Sequence, residues 1–347
     1  MKNFFSKHWL IILLATIATI LAGFYFRNKI SPPKTPEKLL SLSAPTIKSY
    51  PISVSLNISQ LQEKFPSFDQ KVTIYQLTPS SFSDEKAILI GKKFGFSTPP
   101  TVLTSPEGGV SYGWVNEENS LSINLRRGDV NYSLNILEHP EFTGGELPLL
   151  SGVEEKAKSF IEASEFSPPE GVELKTKNIF YVKNYFPYFD KVDKGEGADL
   201  IQVDFEYQLN GNKIITSGDY PPVISIIIGP EFKIVIFNYY FLSNKIEPLK
   251  DFYPLKTKDE VLKDIKTNPK ISYLSLNEVD NPTSEDYNQL ITNLIFENIE
   301  LVYYKYDPLQ TYLQPVFLIT GKAILKDGQE GEVGFYLPAI KEEYLLK

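Results

Sequence analysis

The sequence predicts an α+β protein in which an N-terminal transmembrane helix precedes two antiparallel-sheet domains that carry short helices. Three observations predict this class. The run from residue 9 to residue 26 is uncharged, and its length suffices for a helix that crosses the ~30 Å hydrocarbon core of a bilayer. Segments of alternating apolar and polar residues, separated by turn residues, dominate the rest of the chain. Capped helix starts interrupt these strand-like segments.

The uncharged run has the flanks of an uncleaved membrane anchor. Lys2 and Lys7 precede it, and Arg27 and Lys29 follow it. Bulky rings in the exit 22–26 occupy the positions that a cleavage site gives to small residues. Long domains translocate largely regardless of their charge. The prediction is therefore a single-pass protein of the cell membrane, with membrane lipid around the helix and the C-terminal body extracytoplasmic.

Composition excludes several classes of function. The chain has 347 residues, a net charge of −8 and no cysteine. The absence of cysteine excludes disulfides, thiolate metal sites and a cysteine nucleophile. The acidic balance argues against a nucleic-acid partner, because a phosphate backbone requires a basic face. The length leaves room for two domains of ordinary size behind the anchor.

Composition and turn signals divide the chain into four parts. Residues 1–30 form the anchor with its flanks, and residues 31–49 form a proline-rich linker that favours an extended spacer. Residues 50–144 form a first α+β domain. Residues 145–347 form a second α+β domain, and the boundary is placed at the glycine pair 144–145.

The strands are predicted from period-two alternation and from turn chemistry. The segment 72–77 has strand character. Four hairpins follow along the chain, with turns at 126–129, Asn210-Gly211, Gly229-Pro230 and Asp327-Gly328. Asn-Gly is the strongest of these signals, because both residues tolerate the positive φ angles of a two-residue hairpin turn.

Three helices are predicted from their first residues. Ser83 is a favourable N-cap before an acidic first turn, and Gly95 is a suitable left-handed stop. The sequence from Ser151 to Glu154 has the spacing of a capping box. Thr257 begins a third helix with the same kind of start.

Two of these helices carry a sequence pattern that recurs along the chain. Glu85-Lys86-Ala87 recurs seventy residues later as Glu155-Lys156-Ala157, and Phe96-Ser97 recurs at the same spacing as Phe166-Ser167. A proline pair follows each copy. The matching helix, exit loop and strand entry predict a duplicated helix-plus-sheet unit.

No residue set predicts catalysis, a metal site or a cofactor. The only histidine outside the membrane flank is His139, and zinc needs three or four converging ligands. The acidic loop 190–199 lacks the spacing of an EF-hand. Paired carboxylates would permit glycoside chemistry. Asp204 and Glu206 are read as the charged outer face of a strand.

Aromatic residues provide the one predicted contact surface. Tyr185, Phe186, Tyr188 and Phe189 surround Pro187. Tyrosine combines a large flat ring with a hydroxyl group, which suits contacts with a partner or a glycan. We therefore predict ligand or partner binding at these four residues.

The segment 247–340 resembles a known family. It contains Phe-Tyr-Pro-Leu-Lys-Thr at 252–257, Leu-Val-Tyr-Tyr at 301–304, Leu-Gln-Pro-Val-Phe at 313–317 and Gly-Phe-Tyr-Leu-Pro-Ala at 334–339. In these features it is similar to extracytoplasmic regulatory proteins of the YycI/YycH type and, more distantly, to PepSY-like modules. The resemblance implies helix-on-sheet units, no catalytic residues and association with a sensor histidine kinase.

The sequence thus predicts a membrane-anchored, non-enzymatic protein that binds a partner or ligand at the cell envelope, with regulation of a sensor kinase as the role implied by the resemblance. Two alternatives remain open. One is an envelope glycan hydrolase with paired carboxylates. The other is a structural assembly component that pairs an exposed strand edge with another chain.

Overall fold

The structure is a computed structural model that describes residues 39–78, 81–104, 109–142, 144–185, 188–193, 197–216, 223–240, 242–276, 287–306 and 310–346. Residues 42–347 form one compact unit. Strand accounts for 49% of the described residues, so this part of the protein is mostly β.

The strands of the described residues, in chain order, are β1 (Leu42–Ser43), β2 (Tyr50–Pro51), β3 (Ser55–Asn57), β4 (Lys71–Leu77), β5 (Thr101–Thr104), β6 (Val110–Val115), β7 (Asn119–Asn124), β8 (Val130–Leu134), β9 (Val172–Tyr185), β10 (Tyr188–Val192), β11 (Leu200–Leu209), β12 (Asn212–Thr216), β13 (Ile224–Ile228), β14 (Ile234–Tyr239), β15 (Ile246–Pro254), β16 (Lys270–Ile271), β17 (Tyr273–Ser275), β18 (Ile291–Lys305), β19 (Tyr312–Leu325), β20 (Glu330–Pro338) and β21 (Leu345–Leu346). The α-helices of the same residues are α1 (Ser59–Glu63), α2 (Asp84–Lys93), α3 (Leu150–Ala163), α4 (Lys258–Thr267) and α5 (Tyr287–Leu290).

The first part of the sheet is antiparallel throughout. Its strands follow the order β10-β9-β11-β13-β14-β8-β7-β6-β5. The β11–β12 hairpin leaves this part, and β12 pairs in parallel with the end of β18. One connected sheet system therefore continues into the second part of the chain.

The second part of the sheet is built on two long strands. β18 pairs with β19, β19 pairs with β20, and β20 pairs with the short strand β17. β4 lies between β15 and the first residues of β19. β19 is buried along most of its length, which explains why its sequence is almost continuously apolar rather than alternating.

The predicted α+β class with two separate sheet domains is wrong: the described part of the chain is mostly β, and its main sheet is continuous. Within the described residues, seventeen strands form one connected sheet system, and the helices there are short. β8 pairs with β14, and β4 pairs with β15. The backbone groups at these strand edges are satisfied by partners more than one hundred residues away, which no local pattern reveals. The boundary at 144–145 stays a prediction, although strands from its two sides pair.

An aromatic core lies between the first part of the sheet and the helices α2 and α3. Phe166 lies 5.0 Å from Phe237 and 4.6 Å from Tyr239, measured between ring centroids. Phe94 and Phe160 complete the cluster, at 5.9 and 5.2 Å from Phe237. Burial of one such ring stabilises the fold by roughly 1.5–3 kcal/mol. This cluster therefore contributes much of the energy that packs α2 and α3 against the sheet.

Most local predictions are confirmed. The hairpins around Asn210-Gly211, Gly229-Pro230 and Asp327-Gly328 are β11–β12, β13–β14 and β19–β20. Ser83 caps α2, and Thr257 caps α4 with a complete capping box. The capping box predicted from Ser151 is wrong. The helix α3 already begins at Leu150, and its N-cap residue Leu149 makes no side-chain cap hydrogen bond.

The two repeated segments end their helices in the same way. Gly95 and Glu165 both have positive φ, at 88° and 62°. In each copy the next residue is a buried phenylalanine whose amide donates to a carbonyl five residues earlier, at 3.0 Å. Both helices are followed by antiparallel strands that join through the β8–β14 pair. The local likeness is real, and duplication of the unit stays a prediction.

The predicted membrane protein is corrected. In the described part of the chain, no helix combines the length and the apolar character that crossing a bilayer requires. The predicted anchor at 9–26 lies outside the described residues. The anchor, the lipid contact and the single-pass location in the cell membrane are therefore not carried into the proposals below. Within the predicted linker at 31–49, Leu42 is buried and pairs with Leu345.

Candidate binding cleft

A cleft of about 530 Å³ opens between the segment 65–71 and the junction of β15 with α4. Its two sides are held together by backbone pairing. Lys71 lies opposite Pro254 in the β4–β15 ladder, and the amide of Leu255 donates to the carbonyl of Gln70 at 3.0 Å. The volume lies within the roughly 300–1,000 Å³ that small-ligand sites occupy. We call this site the lysine cleft.

Two phenylalanine rings form the apolar wall of the lysine cleft. Phe65 and Phe68 meet edge to face with ring centroids 5.8 Å apart. Phe68 also lies 5.2 Å from Phe317, which is completely buried on β19. The wall is therefore anchored to a central strand and offers a preformed aromatic surface.

The charges that line the lysine cleft are mostly positive. Lys71, Lys256, Lys258 and Lys341 line it, against one acidic residue, Asp69. This balance contrasts with the net charge of −8 for the whole chain. A local excess of one charge in a cleft attracts ligands of the opposite sign.

Two of the four lysines already have carboxylate partners. The Nζ atom of Lys256 lies 2.7 Å from Asp264 Oδ2 and 3.6 Å from Glu342 Oε1, and the side chain is only 7% exposed. The Nζ atom of Lys341 lies 3.7 Å from Glu260 Oε1. These two lysines mainly hold α4 against the C-terminal segment.

The other two lysines are available to a ligand. Lys71 is exposed, and Lys258 donates from Nζ to the carbonyl of Gln62 at 2.7 Å while it lies 5.6 Å from the ring centroid of Phe65. Within the residues that the structure describes, neither Nζ atom has a carboxylate at ion-pair distance. Both ammonium groups thus lie at the lysine cleft without a carboxylate partner among the described residues.

The first turn of α4 is satisfied by its own side chains. The amide of Thr257 donates to Glu260 Oε2 at 2.6 Å, and the amide of Glu260 donates to Thr257 Oγ1 at 3.3 Å. The amide of Thr257 and, at 2.9 Å, its Oγ1 both donate to Glu260 Oε2. These two hydrogen bonds, chiefly the one from the amide, hold the pKa of Glu260 below its usual value. The helix end is therefore not an open anion site, and the lysine side chains carry the positive charge of the cleft.

The predicted aromatic surface lies elsewhere in the fold, at the β9–β10 hairpin. Tyr185 ends β9 and is 51% exposed, with Lys183 Nζ 5.6 Å from its ring centroid. Tyr188 begins β10 opposite Tyr185, and Phe189 packs partly buried against the adjacent core. Phe186 lies outside the described residues. The structure thus brings three of the four residues to one hairpin, and binding there stays a prediction.

The carboxylate pair Asp204 and Glu206 lies on one face of β11. Asp204 is 5% exposed and accepts a hydrogen bond from Gln202 Nε2 at 2.8 Å. Burial raises the pKa of Asp204 and lowers the pKa of the nearby Lys177. Glu206 and Lys177 also line a small crevice of about 30 Å³, and the glycan-hydrolase alternative stays a prediction.

The other candidates for chemistry do not converge in the described residues. No group of three or more histidine, aspartate or glutamate side chains there is arranged to hold a metal ion. His139 pairs with Glu141, at 2.8 Å from Nδ1 to Oε1. Asp199 accepts from the amide of Gly144 at 3.0 Å and from that of Asn184 at 3.2 Å, which gives it a structural role.

The sequence interpretation missed the lysine cleft. It identified the cap at Thr257 but connected it to no binding site. One signal was present, namely lysines on both sides of the cap at Lys256 and Lys258. The facing wall, with Phe65 and Phe68, lies almost two hundred residues earlier, and only the β4–β15 pairing brings the two together.

Fold and site together define a mostly β protein with a preformed, lysine-bearing cleft. No protein-family model matches the chain, and no curated protein matches it. Among solved structures, the chain is similar to an uncharacterized protein from Eubacterium rectale, with 13% sequence identity and a TM-score of 0.46 over 82% of this chain and 86% of that one. At this TM-score, the similarity supports no conclusion about fold or function.

Proposed function

We propose that this protein is a non-enzymatic binding protein whose lysine cleft takes a short acidic segment of a partner protein. One observation carries the proposal. Lys71 and Lys258 present positive charges next to an aromatic wall, and neither has a carboxylate partner in the described part of the chain. Such charges are favourable sites for the carboxylates of a bound peptide.

The apolar wall supports a ligand that carries a hydrophobic side chain as well as acids. Phe65 and Phe68 form an edge-to-face pair, and the cleft between them and Leu255 is bounded by proline residues at 66 and 254. Aromatic and proline surfaces give up little side-chain entropy on binding. A peptide with one apolar anchor between acidic residues would use both the wall and the lysines.

A regulatory role for this binding is supported by the resemblance of 247–340 to YycI/YycH-type proteins. That segment supplies one side of the lysine cleft, including Lys256 and Lys258. A sensor kinase as the partner is an expectation from that resemblance, and it requires an acidic segment on the kinase that fits the cleft.

The test measures binding of a dye-labelled peptide of glutamate and phenylalanine residues by fluorescence anisotropy. A lysine-and-phenylalanine peptide serves as the probe control. We expect the full chain to bind the acidic peptide more tightly than the basic one. Affinity should fall as salt rises above about 0.15 M, because exposed charges are then screened beyond roughly 8 Å.

Charge reversal distinguishes the lysine cleft from general attraction. We expect Lys71→Glu to weaken acidic-peptide binding about fivefold to tenfold, since an exposed ion pair is lost and a repulsion replaces it. Lys326→Glu is the matched control, because Lys326 is also an exposed lysine without an ion pair in the described residues. Equal weakening by both variants, or no preference of the wild-type chain for the acidic peptide, would contradict the proposal.

A further inference from the structure

The strand β5 forms one edge of the first part of the sheet. It pairs with β6 only, with Thr101 opposite Gly113 and Thr104 opposite Val110. Across the described ranges of the chain, no strand pairs with its other edge. Every second residue of an edge strand directs its N–H and C=O groups away from the sheet, and these groups can pair with another strand.

All four residues of β5 are exposed, and the two central ones are apolar. Val102 is 59% exposed and Leu103 is 54% exposed. Successive side chains of a strand point to opposite faces, so each face of this edge carries one apolar residue. No residue of β5 is charged, whereas natural proteins usually block exposed edges with charged residues.

The opposite edge of the same part of the sheet follows the usual rule. It is formed by β10, which carries Asp190 and Lys191 at exposed positions. The two edges of one sheet therefore differ in a specific property. One is protected by charges against pairing, and the other is open.

Two-fold symmetry favours the β5 edge for pairing between two copies of the chain. When two identical antiparallel strands pair about a two-fold axis, the residue on the axis faces its own copy. For β10, an axis through Asp190 or Lys191 would place like charges directly opposite each other, which is destabilising. For β5, an axis through Val102 or Leu103 brings only apolar and threonine side chains together.

We propose that the β5 edge is a docking surface for a second copy of this chain. The two β5 strands pair antiparallel about a two-fold axis and extend the first part of the sheet across both copies. Pro99 and Pro100 precede the strand, and proline cannot donate to a ladder. With the axis through Val102 or Leu103, three residues of each β5 pair within the strand, 101–103 or 102–104. The contact therefore belongs to the weak, transient class of interfaces.

The complete absence of cysteine permits a position-specific test on the full chain. Val102→Cys and Leu103→Cys are prepared as separate variants and oxidised mildly. Opposed side chains on paired strands have Cβ atoms about 4.5–5.5 Å apart, close to the separation that a disulfide needs. The control is Val115→Cys. Val115 is 82% exposed and lies on β6, beyond the four residue pairs that join β6 to β5.

We expect the thiol on the axis to form a disulfide-linked dimer about tenfold faster than the Val115→Cys thiol, because pairing raises the local concentration of one thiol at the other. Sedimentation of the double variant Val102→Lys with Leu103→Lys should show less self-association than the wild type, whereas Val115→Lys should leave it unchanged. Cross-linking that is equal at all three positions, or a wild type without concentration-dependent association, would refute the proposal. Association that survives the double lysine variant would assign the dimer to another surface.

Discussion

Replacement of Gly321 by alanine should destabilise the fold severely. Gly321 lies in β19 opposite Phe296 of β18. A Cβ atom added at this position would lie 1.9 Å from the carbonyl oxygen of Ile295 and 2.8 Å from the Cα atom of Phe296. Real Cβ atoms essentially never approach other heavy atoms within 3.0 Å. The two strands must therefore separate by roughly 1.1 Å, and the obstacle is backbone that cannot rotate away.

The cost of this separation follows from the position of β19. The strand pairs with β18 on one side and β20 on the other, so a shift away from Ile295 also disturbs the second ladder. Overpacking in a well-packed core costs about 1–3 kcal/mol. Each weakened hydrogen bond adds about 0.5–1.5 kcal/mol. We therefore expect Gly321→Ala to lower the free energy of unfolding by about 3–5 kcal/mol.

Gly113→Ala provides a matched control in the interior of another strand. Its added Cβ would lie 3.7 Å from Leu103 Cδ1 and 3.9 Å from the carbonyl oxygen of Thr101, which is ordinary van der Waals contact. We expect this variant to be neutral or stabilised by up to about 1 kcal/mol, because alanine loses less backbone entropy than glycine on folding.

Urea denaturation followed by far-ultraviolet circular dichroism measures both variants. Trp114 fluorescence is a poor probe for the comparison, because this tryptophan is the neighbour of Gly113. A decrease of less than about 1 kcal/mol in the free energy of unfolding of Gly321→Ala would contradict the clash with the β18 backbone. Equal stability of the two variants would contradict it as well.

Two further predictions concern helix ends. Thr257→Ala should lower the free energy of unfolding by about 1 kcal/mol. The folded-state pKa of Glu260 is lowered, so the contribution of its carboxylate to the cap is present above its unfolded pKa of about 4.3 and is lost as pH falls through the folded value. Urea titrations at pH 7 and pH 3 should therefore show a smaller loss of stability at pH 3. A deficit that is constant with pH would contradict this role of Glu260. Glu165→Gly should raise the melting temperature, because the φ of 62° costs a non-glycine residue roughly 1–2 kcal/mol and the lost ion pair with Lys93 is exposed and weak. Gly95→Ala should lower the melting temperature. A lower melting temperature for Glu165→Gly would show that the ion pair contributes more than the backbone strain costs.

The elements that were predicted correctly depend on short-range chemistry. Asn210 and Gly211 both adopt positive φ angles, at 50° and 81°, as a two-residue hairpin turn requires. The reciprocal hydrogen bonds of Thr257 and Glu260 span only three residues. Signals of this range are complete within the sequence, because both partners lie within one turn.

The elements that were missed depend on long-range pairing. The lysine cleft needs Phe65 and Lys258 on opposite sides of one ladder. The carboxylate pair on β11 was interpreted as a wet face, whereas Asp204 is buried. Burial of a strand face depends on the segments that cover it, and those segments are distant in the chain.

The amino-acid sequence alone determined where most strands turn and how two of the helices begin, because those features follow from the φ preferences and side-chain hydrogen bonds of neighbouring residues. It also determined the acidic charge and the absence of thiols. Only the tertiary structure decided that the strands join into one sheet, that Lys71 and Lys258 share an aromatic cleft, and that β5 is an open edge. Strands pair through backbone groups that nearly every amino acid carries. The packing of the whole chain, and not any local segment, therefore decides which strands pair.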